Sequence, residues 1–323
     1  MNAVYASRPP LLLAGIPRCG STWTMRALDS DPTILLVNEP DNEGQTASAI
    51  WAKRELGRFP VLSEDADDPR YRRLWDWAIA GAPTSRRLIA AGWLLNTVQP
   101  EGRRRFYQGR MSPRMQLAGA LGARPGFGRR PELERHRLLV KSVHAPLALE
   151  WLTKTYGFEV FVLFRHPGNV LASWIALDLT DRFARMEDHP AIRARLASTP
   201  PLPRRGVDPI ARIVWLIGLL TLMLEESTAR HPEWVVRTHE ELCRDPVAEF
   251  RRLFADLHLP WCDAVEDFLT ENDRPGQGFA VRRVASDAPG AWKSRLTPGQ
   301  IDTLQQVLAE FPLTRWTTED LVP

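Results

Sequence analysis

At 323 residues and 36.7 kDa, with 44% hydrophobic and 25% charged residues, the chain has ordinary globular composition, which excludes the disordered, collagenous and membrane classes. Its 42 basic residues exceed its 39 acidic ones by three, so no general nucleic-acid- or membrane-binding surface is expected. The basic residues are almost all arginine, the lysines being Lys53, Lys141, Lys154 and Lys293. Cys19, Cys243 and Cys262 are too few and too scattered for a disulfide framework or a cysteine-rich zinc site, so no metal is expected. The opening MNAVYASRPP carries no leader pattern, and the expectation is a soluble, cytoplasmic protein.

Leu11–Ile16 predicts a short buried strand, followed by a glycine-containing turn and a helix from about Ser21 to Asp29. Ile34–Val37 is a second apolar run and ends at Asn38-Glu39-Pro40. A long, mainly helical region then closes in a loop, Pro100–Arg137, with ten arginines against Glu101, Glu132 and Glu134. This loop reads either as a mobile basic lid over an anion or as a solvated surface segment. Leu138–Val143, Glu159–Phe164 and Trp234–Arg237 are further buried-strand candidates, each followed by a helical pattern. Ser198–Pro209, with Pro200, Pro201, Pro203 and Pro209, separates two helical segments. The apolar run Ile213–Leu224 is shorter than the roughly 20 residues of a membrane span and reads as a buried helix. The expected architecture is a doubly wound parallel α/β sheet flanked by helices. It forms one domain over residues 1–323 with flexible loops at 100–137 and 198–209, and ligands are expected at the carboxyl ends of the strands.

Gly15-Ile16-Pro17-Arg18-Cys19-Gly20-Ser21-Thr22 has the spacing of a phosphate-binding loop between strand and helix, but Ser21 stands where a nucleotide triphosphatase needs lysine. The backbone part of such a site survives, because N–H groups at a helix start bind phosphate together with the helix dipole. Arg18 is placed to supply the missing charge. At the end of a later strand stands Arg165-His166-Pro167, with Ser173 eight residues after the arginine. Pro167 suits a first helical turn, so Arg165 and Ser173 are candidates to converge on a dianion.

Pro17–Trp23 resembles the 5′-phosphosulfate loop of sulfotransferases that use 3′-phosphoadenosine-5′-phosphosulfate (PAPS), and Arg165…Ser173 resembles their 3′-phosphate motif. Two further segments agree in order. Val235–Pro246 is similar to their strand and acidic-Leu…Asp-Pro turn. Gly290-Ala291-Trp292-Lys293, with Arg282-Arg283 upstream, is similar to the basic C-terminal loop that closes over the cofactor. The resemblance implies the P-loop-like sulfotransferase fold with helical insertions, PAPS as donor, its bisphosphate as product and no metal. It further implies that Arg18 and the backbone of Cys19, Gly20, Ser21 and Thr22 hold the 5′-phosphosulfate. Trp23 would lie near the adenine. Arg165, Ser173 and one of Arg282 or Arg283 would hold the 3′-phosphate, with Lys293 in the closing loop. His239 stands where the family often has an adenine-contacting tyrosine.

Transfer to a hydroxyl needs a base and stabilisation of the leaving phosphate. Arg18 is the candidate stabiliser, supported by Lys141. Glu39 resembles the catalytic glutamate of the carbohydrate and tyrosyl branches, and His144 the histidine of the small-phenol branch with one extra residue. That extra residue reverses the strand face unless the strand has ended. Glu39 is preferred and His144 is the alternative. Asp178, Asp181 and some tryptophans are possible acceptor-site residues. The expected acceptor is a small molecule or glycoside, with no nucleic-acid or membrane partner. The competing readings are a nucleotide kinase or triphosphatase, against which Ser21 speaks, and a non-catalytic nucleotide-binding protein.

Overall fold

The computed structural model describes residues 8–43, 47–80, 136–177, 201, 203, 208–275, 284–316 and 319–322. Among these residues five strands form one all-parallel sheet: β1 (Leu11–Gly15), β2 (Ile34–Asn38), β3 (Arg137–Ser142), β4 (Glu159–Phe164) and β5 (Val235–Thr238), in the order β2-β3-β1-β4-β5. The central β1, Leu-Leu-Leu-Ala-Gly, is buried along its whole length, as a strand covered on both faces must be. β2 pairs with β3 from Ile34↔Arg137 to Asn38↔Lys141, and β4 with β5 from Phe161↔Val235 to Phe164↔Thr238. After β1 the chain runs to the edge strand β2, returns to β3 beside β1, and then crosses to β4 and β5 on the other side, which makes the end of β1 the switch point of the strand order.

Contacts divide the chain into two compact units. The first comprises the described parts of Met1–Leu13 and Thr33–Glu159. Its helices are α2 (Ala47–Ala52), α3 (Pro69–Ile79) and α4 (Leu149–Tyr156). Asp68 caps α3 by accepting from the Arg70 and Tyr71 N–H groups, with Pro69 in the first turn. In the core Tyr71 and Phe158 meet Trp75 edge to face, and Tyr71 packs tilted at 39° against Trp151. Arg137, expected from sequence to be the last residue of the 100–137 segment, instead opens β3. Its guanidinium is buried against the Glu159 carboxylate and donates to the Pro9 carbonyl at 3.1 Å.

The second unit comprises the described parts of Ala14–Pro32, Val160–Asp181 and Ala194–Pro323. It holds α1 (Ser21–Asp29), α5 (Pro167–Ala176), α6 (Pro209–Arg230), α7 (His239–Arg244), α8 (Pro246–Asp256), α9 (Asp263–Asn272), the single turn α10 (Trp292–Arg295) and α11 (Pro298–Leu308). Pro209, read with the preceding break, begins α6 behind its cap Asp208. The apolar run Ile213–Leu224 lies inside α6, where Gly218 lets Phe311 approach; a Cβ there would stand 2.8 Å from that ring. Thr238 and Glu241 form a capping box on α7, and Asp245-Pro246 opens α8 as cap and first residue. Among the described residues no helix is long and apolar enough to cross a membrane.

Candidate active site

In the second unit the residues expected to form a phosphate loop are folded around two left-handed backbone positions, Arg18 at φ +72° and Gly20 at φ +96°. Gly20, which has no side chain to cap with, is the N-cap of α1, and no side-chain cap forms there among the described residues. The Gly20 carbonyl accepts from the Trp23 and Thr24 N–H groups at 3.0 and 3.3 Å, so the first turn is formed while its leading end stays uncapped. Side chains fix the other end of the loop. The Trp174 indole donates to the Pro17 carbonyl at 2.8 Å, and Arg165 Nη1 to the Arg18 carbonyl at 2.9 Å.

The two candidate phosphate motifs meet here. Arg18 Nε donates to Ser173 Oγ at 2.9 Å, across 155 positions of sequence. Arg165 stands one residue past β4, and its Nε is buried with no hydrogen-bond partner among the described residues. Glu240 is its counter-charge. This carboxylate accepts from the His166 backbone N–H at 3.1 Å and the Asn169 amide at 3.2 Å. Burial pushes the Glu240 carboxyl up and the Arg165 guanidinium down from their ordinary values. Sequence reasoning missed Glu240 and Asn169. Glu240 lies inside the segment 235–246, and its place just after a strand end was the available signal.

The C-terminal segment docks on the same helix start. Trp292 stacks on His166 at 4.9 Å and 16°, and it packs on Gly168, where a Cβ would come within 2.6 Å of the indole. His166 Nδ1 accepts from the Gly168 N–H, so its Nε2 carries the proton and donates to the Asp320 carbonyl at 2.9 Å. Lys293 is exposed beside Trp292. Trp23 is half-buried, edge-on to Phe250 at 5.0 Å and against Cys243, Ala285 and Ala288. His239 is buried beneath Gly20, with its Nδ1 3.3 Å from Cys243 Sγ, a thiol that burial pushes up to about 12. Ser21 is buried and Thr22 exposed. Arg282, Arg283, Asp178 and Asp181 lie outside the described residues.

The first unit buries a second polar cluster behind β2. Glu39 follows the strand at φ +47°, an uncommon conformation for a side chain other than glycine. Its N–H donates to the Lys141 carbonyl at 2.7 Å, and its carboxylate takes the Lys141 ammonium on one oxygen and the Asn42 amide on the other. Beneath it Asp41, fully buried, accepts from Tyr71 at 3.1 Å and from Ser142 at 2.7 Å. Lys53 Nζ binds the Asp41 carbonyl at 2.9 Å and the Glu43 carboxylate at 2.6 Å. His144 Nδ1 is 3.4 Å from the other Glu43 oxygen, and its ring stacks against Phe59 at 6.0 Å. Because β3 ends at Ser142, His144 lies past the strand and alternation along it does not set its direction. Among the described residues no group of three or more His, Cys, Asp or Glu side chains is arranged to hold a metal ion.

Burial together with Arg58, Lys53 and Lys141 drives the His144 imidazole well below its ordinary value, and burial with Arg165 does the same for His239. Both stay neutral in the fold but protonate in the unfolded chain below about pH 6.5. The unfolded state then binds more protons, so this contribution is complete above about pH 6.5 and is lost as pH falls. Each histidine should cost the fold about 1 kcal/mol between about pH 6.5 and about pH 5.5. The buried carboxyls of Asp41 and Glu240, both raised, oppose that loss, so the measurement is a comparison of slopes. Urea midpoints of His144→Asn should fall less steeply with acid than those of the wild type. Equal slopes would mean that His144 protonates within the fold.

No family model and no curated protein matches the chain. Solved structures do. Over 94% of its length the chain is similar to a sulfotransferase domain from the curacin biosynthetic pathway, with 13% identity, a TM-score of 0.49 and 99% of that domain covered. It is similar over the same share to a sulfotransferase domain from the Synechococcus PCC 7002 olefin synthase, with 17% identity, a TM-score of 0.45 and 96% covered. A sulfotransferase from Mycobacterium avium matches at 16% identity and a TM-score of 0.41, with 76% of that chain covered.

Proposed function

We propose that this chain is a sulfotransferase, a single catalytic domain that moves the sulfuryl group of PAPS to a hydroxyl of a small-molecule or glycoside acceptor in the cytoplasm. The observation that carries the reading is the Arg18–Ser173 hydrogen bond with Arg165 on the Arg18 carbonyl, which joins a 5′- and a 3′-phosphate motif in one network. The residues fit an anion with two phosphate ends: among the described residues the α1 terminus has no side-chain cap, and the buried Arg165 Nε–H has no acceptor.

In this reading Pro17 shapes the loop, while Arg18 and the N–H groups of Cys19, Gly20, Ser21 and Thr22 hold the 5′ end. Arg165, Ser173 and one of Arg282 or Arg283 hold the 3′-phosphate, Trp23 and His239 border the adenine, and Lys293 closes over the nucleotide. The donor supplies the sulfuryl group, and the acceptor oxygen bonds to sulfur as the sulfur–oxygen bond to phosphate breaks. Arg18, with Lys141, stabilises the charge left on the phosphate oxygen. The hydroxyl proton passes to Glu39, with His144 as the alternative acceptor. No step requires a metal.

Calorimetry with adenosine 3′,5′-bisphosphate, adenosine 5′-monophosphate and ATP tests this. The bisphosphate should bind about 100-fold tighter than the monophosphate, since the 3′-phosphate gains charge-assisted hydrogen bonds. Tight ATP binding with no preference for a 3′-phosphate would favour a kinase or triphosphatase and sink the proposal.

A further inference from the structure

The turn α10 brings another arginine to the end of α5 that carries Ser173. Trp292 anchors the turn on His166 and Gly168. Arg295, three residues on, shares that face of the turn, and its Nη2 comes 3.5 Å from the Ala172 carbonyl oxygen, next to Ser173. At this point Ser173 Oγ already accepts from Arg18, and Arg165 keeps a buried Nε with no hydrogen-bond partner among the described residues. Arg295 also repels Arg165, adding to the burial that makes the Arg165 charge harder to hold. Arg18 on the Ser173 hydroxyl, Arg165 on the Arg18 carbonyl and Arg295 on the carbonyl of the neighbouring Ala172 fit a ligand bearing several anionic oxygens. A purely structural role explains less: 3.5 Å is at the limit of a hydrogen bond, and the Arg295 side chain is exposed.

We propose that Arg295 is a ligand of the ribose 3′-phosphate, acting with Arg165 and Ser173; the inference rests on the reading of this site as one for a 3′-phosphorylated adenosine nucleotide. Arg295 lies outside every segment assigned to the 3′-phosphate by sequence. Its contribution is specific to that phosphate and not to the nucleotide as a whole.

The test is calorimetric titration of adenosine 3′,5′-bisphosphate and adenosine 5′-monophosphate into wild type, Arg295→Ala and Arg295→Lys. Arg295→Ala should lose about tenfold or more in affinity for the bisphosphate, with the monophosphate unchanged within about twofold. Arg295→Lys, which keeps the charge without the fork, should recover part of the loss. Wild-type bisphosphate affinity in Arg295→Ala, or equal loss for both nucleotides, would overturn the assignment. Failure of the underlying reading looks different: the wild type itself would show no preference for the bisphosphate, and the inference would fall with it.

Discussion

Replacing Glu39 by glutamine should lower sulfuryl transfer by about 10²–10⁴-fold while affinity for adenosine 3′,5′-bisphosphate stays within about twofold of wild type. Glutamine is close to isosteric and keeps an oxygen for Lys141 or Asn42, so the turn is retained while the proton acceptor is removed. The position has the marks of a group held for chemistry. Its backbone sits at φ +47°, which costs of the order of 1–3 kcal/mol for a residue with a side chain. The turn is held there by the Lys141 carbonyl and by the Asp41–Ser142–Tyr71 and Lys53–Glu43 contacts below it. Removing the Lys141 counter-charge should also lower the unfolding midpoint, so transfer is compared at a temperature where both proteins are folded. His144→Asn is the matched control. That imidazole is 1% exposed, faces Glu43 and Phe59, and is driven down by burial, which makes it a weak base. His144→Asn should therefore lose stability while retaining most of its transfer rate per folded molecule. Full turnover in Glu39→Gln, with loss in folded His144→Asn, would make His144 the base.

The strands were legible because a parallel sheet buried on both faces selects near-continuous apolar runs; Leu11–Gly15 and Glu159–Phe164 differ from their sequence-based bounds by one residue at most. Arg137 was misread for a tertiary reason. An arginine looks like loop until Glu159 and the Pro9 carbonyl, both distant in sequence, are brought to it. Trp234 was counted into β5 but precedes it, stacking on His231 at 4.3 Å. Arg18, Arg165 and Ser173 could be nominated from spacing, since strand ends and helix starts dictate where such residues stand. The bond between Arg18 and Ser173 could not, because it depends on how two crossovers pack. The buried charges Asp41, Glu43 and Lys53 were the least legible. Polar residues read as surface, and only partners from α3 and the end of β3 show why burying them is tolerated.

Gly20→Ala should destabilise the protein by about 2–5 kcal/mol and weaken adenosine 3′,5′-bisphosphate binding by more than about tenfold. Two costs fall on the same atom. At φ +96° any Cβ is strained, of the order of 1–3 kcal/mol. That Cβ would also stand 1.9 Å from His239 Cδ2 and 2.7 Å from its Nε2, so the imidazole, buried against Cys243 and Trp23, must shift or the loop must lift. Either movement redirects the N–H groups at the start of α1 that are proposed to hold the 5′ end. Gly57 separates the two costs: it has φ +76°, but a Cβ there meets nothing within 4 Å, so Gly57→Ala carries the backbone strain alone. Adding His239→Ala to Gly20→Ala removes the collision and leaves the strain, and the double variant should regain stability relative to Gly20→Ala. Urea unfolding of the set decides it. If Gly20→Ala is no less stable than Gly57→Ala, the loop is not wedged against His239. If it also binds the bisphosphate as wild type does, the backbone of Gly20–Thr22 does not hold the 5′ end.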